Sequence, residues 1–209
     1  MEMEMEMTTT KKPGRQYRAM SLMRTETEAP LIESDYYVEG YAATFERYKL
    51  YDDWDGQPVY EQFKPADFAG CDMSDIIMQY NHSGMVFARQ RNKTLIVKID
   101  DKGLFIAADL SKTAAAREMY EAIKCGNIDR MSWGFIPKET HFDAETNTIT
   151  YNGIKKIYDV SAVDLPANED TIIEARRFVD GEISRIKQEL EKREIERLKL
   201  EILLTIAKG

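Results

Sequence analysis

Short segments rich in aromatic and β-branched residues, separated by turn-forming residues, run through most of the chain between positions 16 and 163. Such segments are typical of β-strands. The strongest covers 36–45, and a hairpin is predicted over 94–110, where two apolar segments flank Asp101-Lys102-Gly103. We expect Gly103 to supply a positive φ in that turn. The other predicted strands and hairpins cover 16–23, 59–63, 131–136, 142–151 and 155–163.

One segment inside this region changes to the spacing of a helix. Ser111-Lys112-Thr113 offers a capping residue, and Gly126 stands where helices commonly end. The apolar positions between them recur every three or four residues, as on one face of a helix. They are Ala115, Met119, Ala122 and Ile123. The predicted fold is therefore α+β, mainly antiparallel β with at least one helix.

The two ends of the chain differ in composition from this region. Residues 1–14 alternate Met and Glu before a run of Thr, Lys, Pro and Gly, which predicts a disordered leader. From about residue 170 onward, apolar residues recur at helical spacing among Glu, Lys and Arg, and their stripe changes phase near Arg193. We predict one globular domain over 15–175 and a charged amphipathic helix over 176–209. The apolar positions of the stripe are Ile183, Ile186, Leu190, Ile195, Leu198 and Ile202.

Composition narrows the class of protein. The 209 residues carry a net charge of −8, which argues against a general nucleic-acid binder. Two cysteines, Cys71 and Cys125, are too few for a disulfide framework and are expected to be reduced, buried thiols. No apolar run is long enough to cross a membrane, and the acidic start is unlike a signal peptide. We expect an intracellular protein with no membrane or nucleic-acid partner.

Candidate chemistry centres on His82 and Ser132. Ser132 lies in the apolar run Met131-Ser132-Trp133-Gly134-Phe135, and an unpartnered buried hydroxyl costs about 1–3 kcal/mol. A histidine would be a partner that also activates it as a nucleophile. His82, in a loop after the element at 75–80, is one of two histidines, and imidazole titrates near neutral pH. Asp159, flanked by apolar residues on a late strand, is the best candidate to orient the histidine.

Each of these residues also has an ordinary structural interpretation. A histidine in a loop and a serine in a strand are usually satisfied polar residues, and His141, in a polar turn, is expected at the surface. Trp133 and Phe135 are expected in the core rather than against substrate. Gly134 would either let a substrate backbone approach or mark a bulge. No cluster of His, Cys, Asp and Glu has metal-ligand spacing, and no Gly-rich phosphate loop occurs, so no metal or cofactor is expected.

Six segments, taken in their order along the chain, carry a resemblance to a known family. They are 40–45, 61–68, Asn81-His82-Ser83, 101–104, 126–135 and 158–168. With them, residues 15–175 resemble the prohead (procapsid maturation) serine proteases of tailed bacteriophages, the type found with HK97-like capsids. The resemblance implies a fold similar to the herpesvirus assembly proteases, with a β-barrel-like core, surrounding helices and, here, a long C-terminal helix.

The resemblance also assigns roles to residues of this chain. The family histidine falls on His82 and the family serine on Ser132. Asp159 stands where many relatives have Glu or Asp before Val-Ser, so it is expected as the third member of the triad. Two positions depart from the family pattern: Ser83 replaces a common Asp, and Trp133 replaces a frequent Phe. Neither change removes a catalytic atom.

The function implied is that of a serine endopeptidase packaged inside the procapsid, in the cytoplasm of an infected or prophage-carrying bacterium. Its expected substrates are the scaffold protein, the major capsid protein and the protease itself. Self-association through the C-terminal helix is a further expectation about partners. The alternative is a protease-like interaction module that helps shell assembly without cleaving. The presence of both His82 and Ser132 favours the enzyme, because a module kept for binding needs neither.

Overall fold

A computed structural model describes residues 16–24, 29–53, 55–164 and 169–208, which form a mixed α+β fold. The predicted leader, residues 1–14, lies outside the described residues. The helices are a 3₁₀ turn (Pro65–Phe68), α1 (Ala114–Lys124) and α2 (Glu169–Lys208). The strands are β1 (Gln16–Arg24), β2 (Tyr37–Thr44), β3 (Tyr48–Asp52), β4 (Pro58–Glu61), β5 (Ile77–Tyr80), β6 (Ser83–Arg89), β7 (Leu95–Ile99), β8 (Gly103–Asp109), β9 (Arg130–Pro137), β10 (Thr140–Asp143), β11 (Thr148–Tyr151) and β12 (Ile154–Val163).

Eight strands form the larger sheet, in the order β6-β5-β12-β9-β1-β2-β8-β7. Every neighbouring pair is antiparallel except β5 and β12, which run parallel. The predicted mainly antiparallel α+β class is therefore confirmed. Among the described strands, β6 and β7 are the open edges of this sheet, so a closed barrel is not confirmed. The likeness to the herpesvirus assembly proteases stays a prediction.

A smaller sheet packs on the larger one through a cluster of aromatic rings. Its strand order is β10-β11-β4-β3. Trp133 and Phe135, from β9 of the larger sheet, stack with ring centroids 4.1 Å apart. Phe63 lies edge-on to Trp133 at 5.1 Å and stacks on Tyr151 of the smaller sheet at 4.8 Å. Trp133 and Phe135 are fully buried, which confirms that they belong to the core.

The turn between β7 and β8 differs from the prediction. The hairpin itself is confirmed, since β7 and β8 pair antiparallel. Gly103, however, does not adopt a positive φ. A Cβ at this position would lie 2.0 Å from the carbonyl oxygen of Ala43 on β2. Gly103 is therefore required because the neighbouring backbone approaches closely, and the prediction of a left-handed turn residue was wrong.

Helix α1 follows the predicted boundaries closely. The Thr113 side chain accepts a hydrogen bond from the backbone N–H of Ala116, and Gly126 follows the helix with φ of 80°. The buried face is Ala116, Met119, Tyr120 and Ile123. Ala115 and Ala122, predicted on that face, are half-buried. Relative to the predicted face, the buried face is rotated around the helix so that it includes Tyr120. The Tyr120 ring meets that of Tyr36 edge-on at a centroid distance of 5.2 Å.

The long helix α2 changes character along its length. Val179 is buried and Ile183 packs against the core, whereas Leu190, Ile195 and three further leucines are 46–62% exposed. The helix runs unbroken from 169 to 208, so the division predicted at 175/176 falls inside it. No helix in the described residues is both long enough and apolar enough to span a bilayer.

Candidate active site

Three adjacent strands bring the predicted site residues together. Strand β12 lies between β5 and β9 in the larger sheet. Asp159 is on β12, and Ser132 is on β9 directly opposite Ser161 of β12. His82 follows β5, in the turn that leads into the edge strand β6. The parallel pairing of β5 with β12 is what places this turn over the carboxylate of Asp159.

The turn that carries His82 has an unusual backbone. Tyr80 and Ser83 are paired, so the loop has two residues, Asn81 with φ of 46° and His82 with φ of 58°. Two successive positive φ angles define the type I′ turn, in which glycine is the usual second residue. A histidine there is strained. The backbone N–H of Asn81 donates to the carbonyl of Ala162 at 3.0 Å, and that of His82 donates to Ser161 Oγ at 3.1 Å.

The side chains of the three predicted residues form a continuous line of contacts. His82 Nε2 lies 2.6 Å from Ser132 Oγ, and His82 Nδ1 lies 2.5 Å from Asp159 Oδ1. The Asp159 side chain is fully buried, that of His82 is 11% exposed, and Ser132 is 3% exposed. The arrangement therefore joins a hydroxyl, an imidazole and a buried carboxylate at hydrogen-bond distances.

The chemical roles of the two imidazole nitrogens follow from their partners. A carboxylate only accepts hydrogen bonds, so Nδ1, which faces Asp159, carries the proton. Nε2 then has its lone pair directed at the Ser132 hydroxyl and can accept its proton. This is the arrangement that makes a serine hydroxyl nucleophilic.

One further residue of the site was not singled out from the sequence. Ser161 Oγ donates to Asp159 Oδ1 at 2.9 Å and accepts the backbone N–H of His82. Ser161 is fully buried, and it lies two residues after Asp159, on the same face of β12. The sequence places it within Asp159-Val160-Ser161, but nothing in the sequence showed that the β5–β6 turn folds onto it.

The other candidate groups lie apart from this line of contacts. His141 is exposed, as predicted, with Glu139 3.7 Å away. The expectation of two buried thiols was wrong, because Cys71 is half-buried and Cys125 is exposed at the end of α1. Burial and the neighbouring Asp72 raise the pKa of the Cys71 thiol to about 11, which keeps it protonated near neutral pH. Among the described residues, no cluster of His, Cys, Asp and Glu could hold a metal ion.

Comparison with known proteins places the chain in a family. A family model described as Caudovirus prohead serine protease matches residues 23–200 of the chain. The match begins near the end of β1, includes all three residues of the hydroxyl–imidazole–carboxylate line, and extends well into α2. Searches of curated proteins and of solved structures found no match.

Proposed function

The chain belongs to the Caudovirus prohead serine protease family, and from this membership and the site geometry we propose that it is a serine endopeptidase acting in procapsid maturation. The observation that carries the proposal is the line Ser132–His82–Asp159, with contacts of 2.6 and 2.5 Å. The carboxylate is fully buried whereas the imidazole is 11% exposed, so solvent reaches the site at His82 rather than at Asp159.

In the proposed mechanism, Ser132 Oγ attacks the carbonyl carbon of the scissile peptide bond while His82 Nε2 accepts its proton. Asp159 holds the imidazole by Nδ1 and stabilises its protonated form. The imidazolium then gives the proton to the leaving amine, and the C–N bond breaks to leave an acyl-enzyme. Water, deprotonated by His82, hydrolyses the ester and restores the Ser132 hydroxyl.

The proposed substrates follow from the family. A prohead protease meets the proteins of the immature shell, so we propose the scaffold protein, the major capsid protein and the protease itself as its substrates. The place of action is the inside of the procapsid, in the cytoplasm of the host bacterium. No nucleic acid takes part in the proposed reaction.

Co-expression with the cognate capsid and scaffold proteins tests this function. The protein should shorten at least one of them, as seen on a denaturing gel, and Ser132→Ala should leave both at full length because it removes the attacking oxygen. Ser111→Ala, which changes a half-buried serine after β8, is a matched control and should cleave normally. Normal shell assembly with no cleavage by the unaltered protein would favour the non-catalytic interaction module instead.

We also propose that the distal half of α2 recruits the enzyme to a helical segment of a shell protein. In this half Arg197 pairs with Glu194 and Glu201, and just before it Arg185 pairs with Glu182 and Glu189. Its exposed apolar residues, Leu190, Ile195, Leu198, Leu200 and Leu203, are the surface that such a partner would cover. At the same 3-4 spacing, the residues that follow Ile183, Ile186 and Leu190 on this helix face are Arg193 and Arg197. In a parallel dimer each arginine would lie against its own copy, and the like charges would repel. Scaffold or the capsid protein's extension is therefore the favoured partner over a second copy.

Deleting residues 188–209 should reduce packaging of the protein into procapsids several-fold while leaving cleavage of purified substrate nearly unchanged. The deletion starts at 188 because Val179 and Ile183 pack on the core, so removing them as well would destabilise the protease domain. Quantitative blotting of isolated procapsids measures packaging, and the molar mass in solution reports any self-association. Packaging at normal levels would contradict recruitment by the helix, and a dimer lost on deletion would point to a second copy.

A further inference from the structure

We propose that Ser161 is a positioning residue of this site, which holds both the backbone and the imidazole of His82 to the same carboxylate. The inference rests on the proposed peptidase function, since it assigns a role to Ser161 within that chemistry. Ser161 is not one of the three predicted site residues, and its hydrogen bonds go to Asp159 and His82 rather than to Ser132.

The hydrogen bonds around Ser161 close into a ring. The backbone N–H of His82 donates to Ser161 Oγ at 3.1 Å, and that hydroxyl donates to Asp159 Oδ1 at 2.9 Å. The same Oδ1 accepts from His82 Nδ1 at 2.5 Å. The ring therefore begins and ends on His82. These hydrogen bonds hold His82 at its backbone N–H and at its imidazole. The imidazole therefore has little freedom to turn away from Ser132.

The strain in the turn explains why such a ring is needed. Asn81 and His82 both have positive φ, a conformation that asparagine tolerates but that is unfavourable for histidine. Strain of this kind persists only where surrounding contacts hold it. The Asn81 N–H is held by a backbone carbonyl, that of Ala162, whereas the His82 N–H is held by the Ser161 side chain. Removing the hydroxyl leaves the strained residue without that bond and takes one donor from the buried carboxylate.

Two readouts on the full-length protein test this role. The first is the rate at which an alkyl fluorophosphonate labels Ser132, which reports the reactivity of the hydroxyl without a peptide substrate. Ser161→Ala should lower this rate roughly 10- to 100-fold, the range expected when a catalytic group is displaced by about 1 Å. Ser161→Thr, which keeps the hydroxyl, should recover a large part of the loss. Ser161→Cys, close to serine in size but weaker in hydrogen bonding, gives the same test if the alanine variant does not fold.

The second readout is the low-field proton signal of His82 Nδ1–H, observed by NMR. Only two histidines are present and His141 is exposed, so the signal is assigned by its absence in His82→Ala. Ser161→Ala should shift or broaden it. Thr148→Val is the matched control and should change neither readout, because it removes another buried hydroxyl, which lies on β11 of the smaller sheet and accepts a hydrogen bond from Arg47.

The outcomes separate the inference from the function on which it rests. Wild-type labelling and an unchanged His82 signal in Ser161→Ala would overturn the positioning role while leaving the peptidase intact. A protein that the reagent does not label at all would overturn the proposed function. The NMR comparison would then still show whether Ser161 orders the His82–Asp159 pair.

Discussion

Replacing His82 by alanine should lower the rate of peptide-bond cleavage by about 10⁶-fold, as should Ser132→Ala, because nucleophile and base act as a unit. His82 Nε2 is the partner within hydrogen-bond distance of Ser132 Oγ that can accept its proton. Combining the two substitutions should therefore add little to either alone. Cleavage of purified capsid protein, followed over time on a gel, measures all three rates.

The third member should matter less than the first two. Asp159→Asn should slow cleavage by about 10⁴-fold, because the amide can present its N–H to Nδ1 and favour the wrong tautomer of His82. His141→Ala removes the other histidine, which is exposed, and serves as the control that should cleave normally. If Asp159→Asn cleaved at the wild-type rate, the acidic member would lie elsewhere. Substantial cleavage by His82→Ala would remove the mechanism.

The central strands of the fold could be predicted because their sequences are strongly apolar. Strand β12 is buried over most of its length, and β2, between β1 and β8, is buried nearly throughout. The strands with no counterpart among the predicted elements, β3 and β6, are both sheet edges, and the element expected at 75–80 without a stated type is strand β5. Strand β6 (Ser83–Arg89) begins with exposed residues and contains a glycine at positive φ. Strand β3 (Tyr48–Asp52) is interrupted by the exposed charged residues Lys49 and Asp52. Edge strands owe their pairing to a neighbour rather than to their own composition, so the pattern alone did not reveal them.

The candidate site depended on two kinds of information. Residue chemistry singled out Ser132, His82 and Asp159, but it also allowed each to be an ordinary polar residue. The family resemblance favoured one of these interpretations, and the geometry brings all three into contact. Ser161 could not be found in this way, because its role depends on the parallel β5–β12 pairing, which neither the spacing nor the composition of the two strands indicates.

A buried ion pair between β1 and β4 was likewise beyond the reach of sequence patterns. Arg18 and Glu61 are 43 residues apart, and such charges usually lie at the surface. Here both are buried, with Arg18 Nε 2.8 and 2.7 Å from the two carboxylate oxygens. Tyr48 and Tyr151 also donate to Glu61. Because β1 pairs with β9, the cluster links the strand of Ser132 to the smaller sheet.

The charges in this cluster depend on one another. Burial disfavours the charged form of Arg18, but the Glu61 carboxylate raises the pKa of the guanidinium above its usual range. Burial, reinforced by the negative charge of Glu61, raises the pKa of Tyr48 well above its ordinary value, so its hydroxyl stays a donor. For Tyr151, burial is again the main cause of a raised pKa. The Glu61 carboxylate therefore compensates the buried positive charge of Arg18.

Glu61→Gln should destabilise the protein by about 3–5 kcal/mol, because it leaves the Arg18 guanidinium buried without its opposite charge. The double variant Arg18→Met, Glu61→Gln should be markedly more stable than Glu61→Gln alone, since no uncompensated charge remains and the amide oxygen can still accept from the Tyr48 and Tyr151 hydroxyls. Asp52→Asn, which breaks the exposed pair with Lys49, is the control and should change stability little. Urea unfolding followed by far-ultraviolet circular dichroism gives the midpoint of each variant.

Should Glu61→Gln unfold at the same midpoint as the Asp52→Asn control, the cluster would not be holding β1 to the smaller sheet. The opposite outcome is a large loss of stability in Glu61→Gln that the double variant largely restores. It would show that the cost comes from leaving the buried Arg18 charge uncompensated, at a junction beside the strand of Ser132.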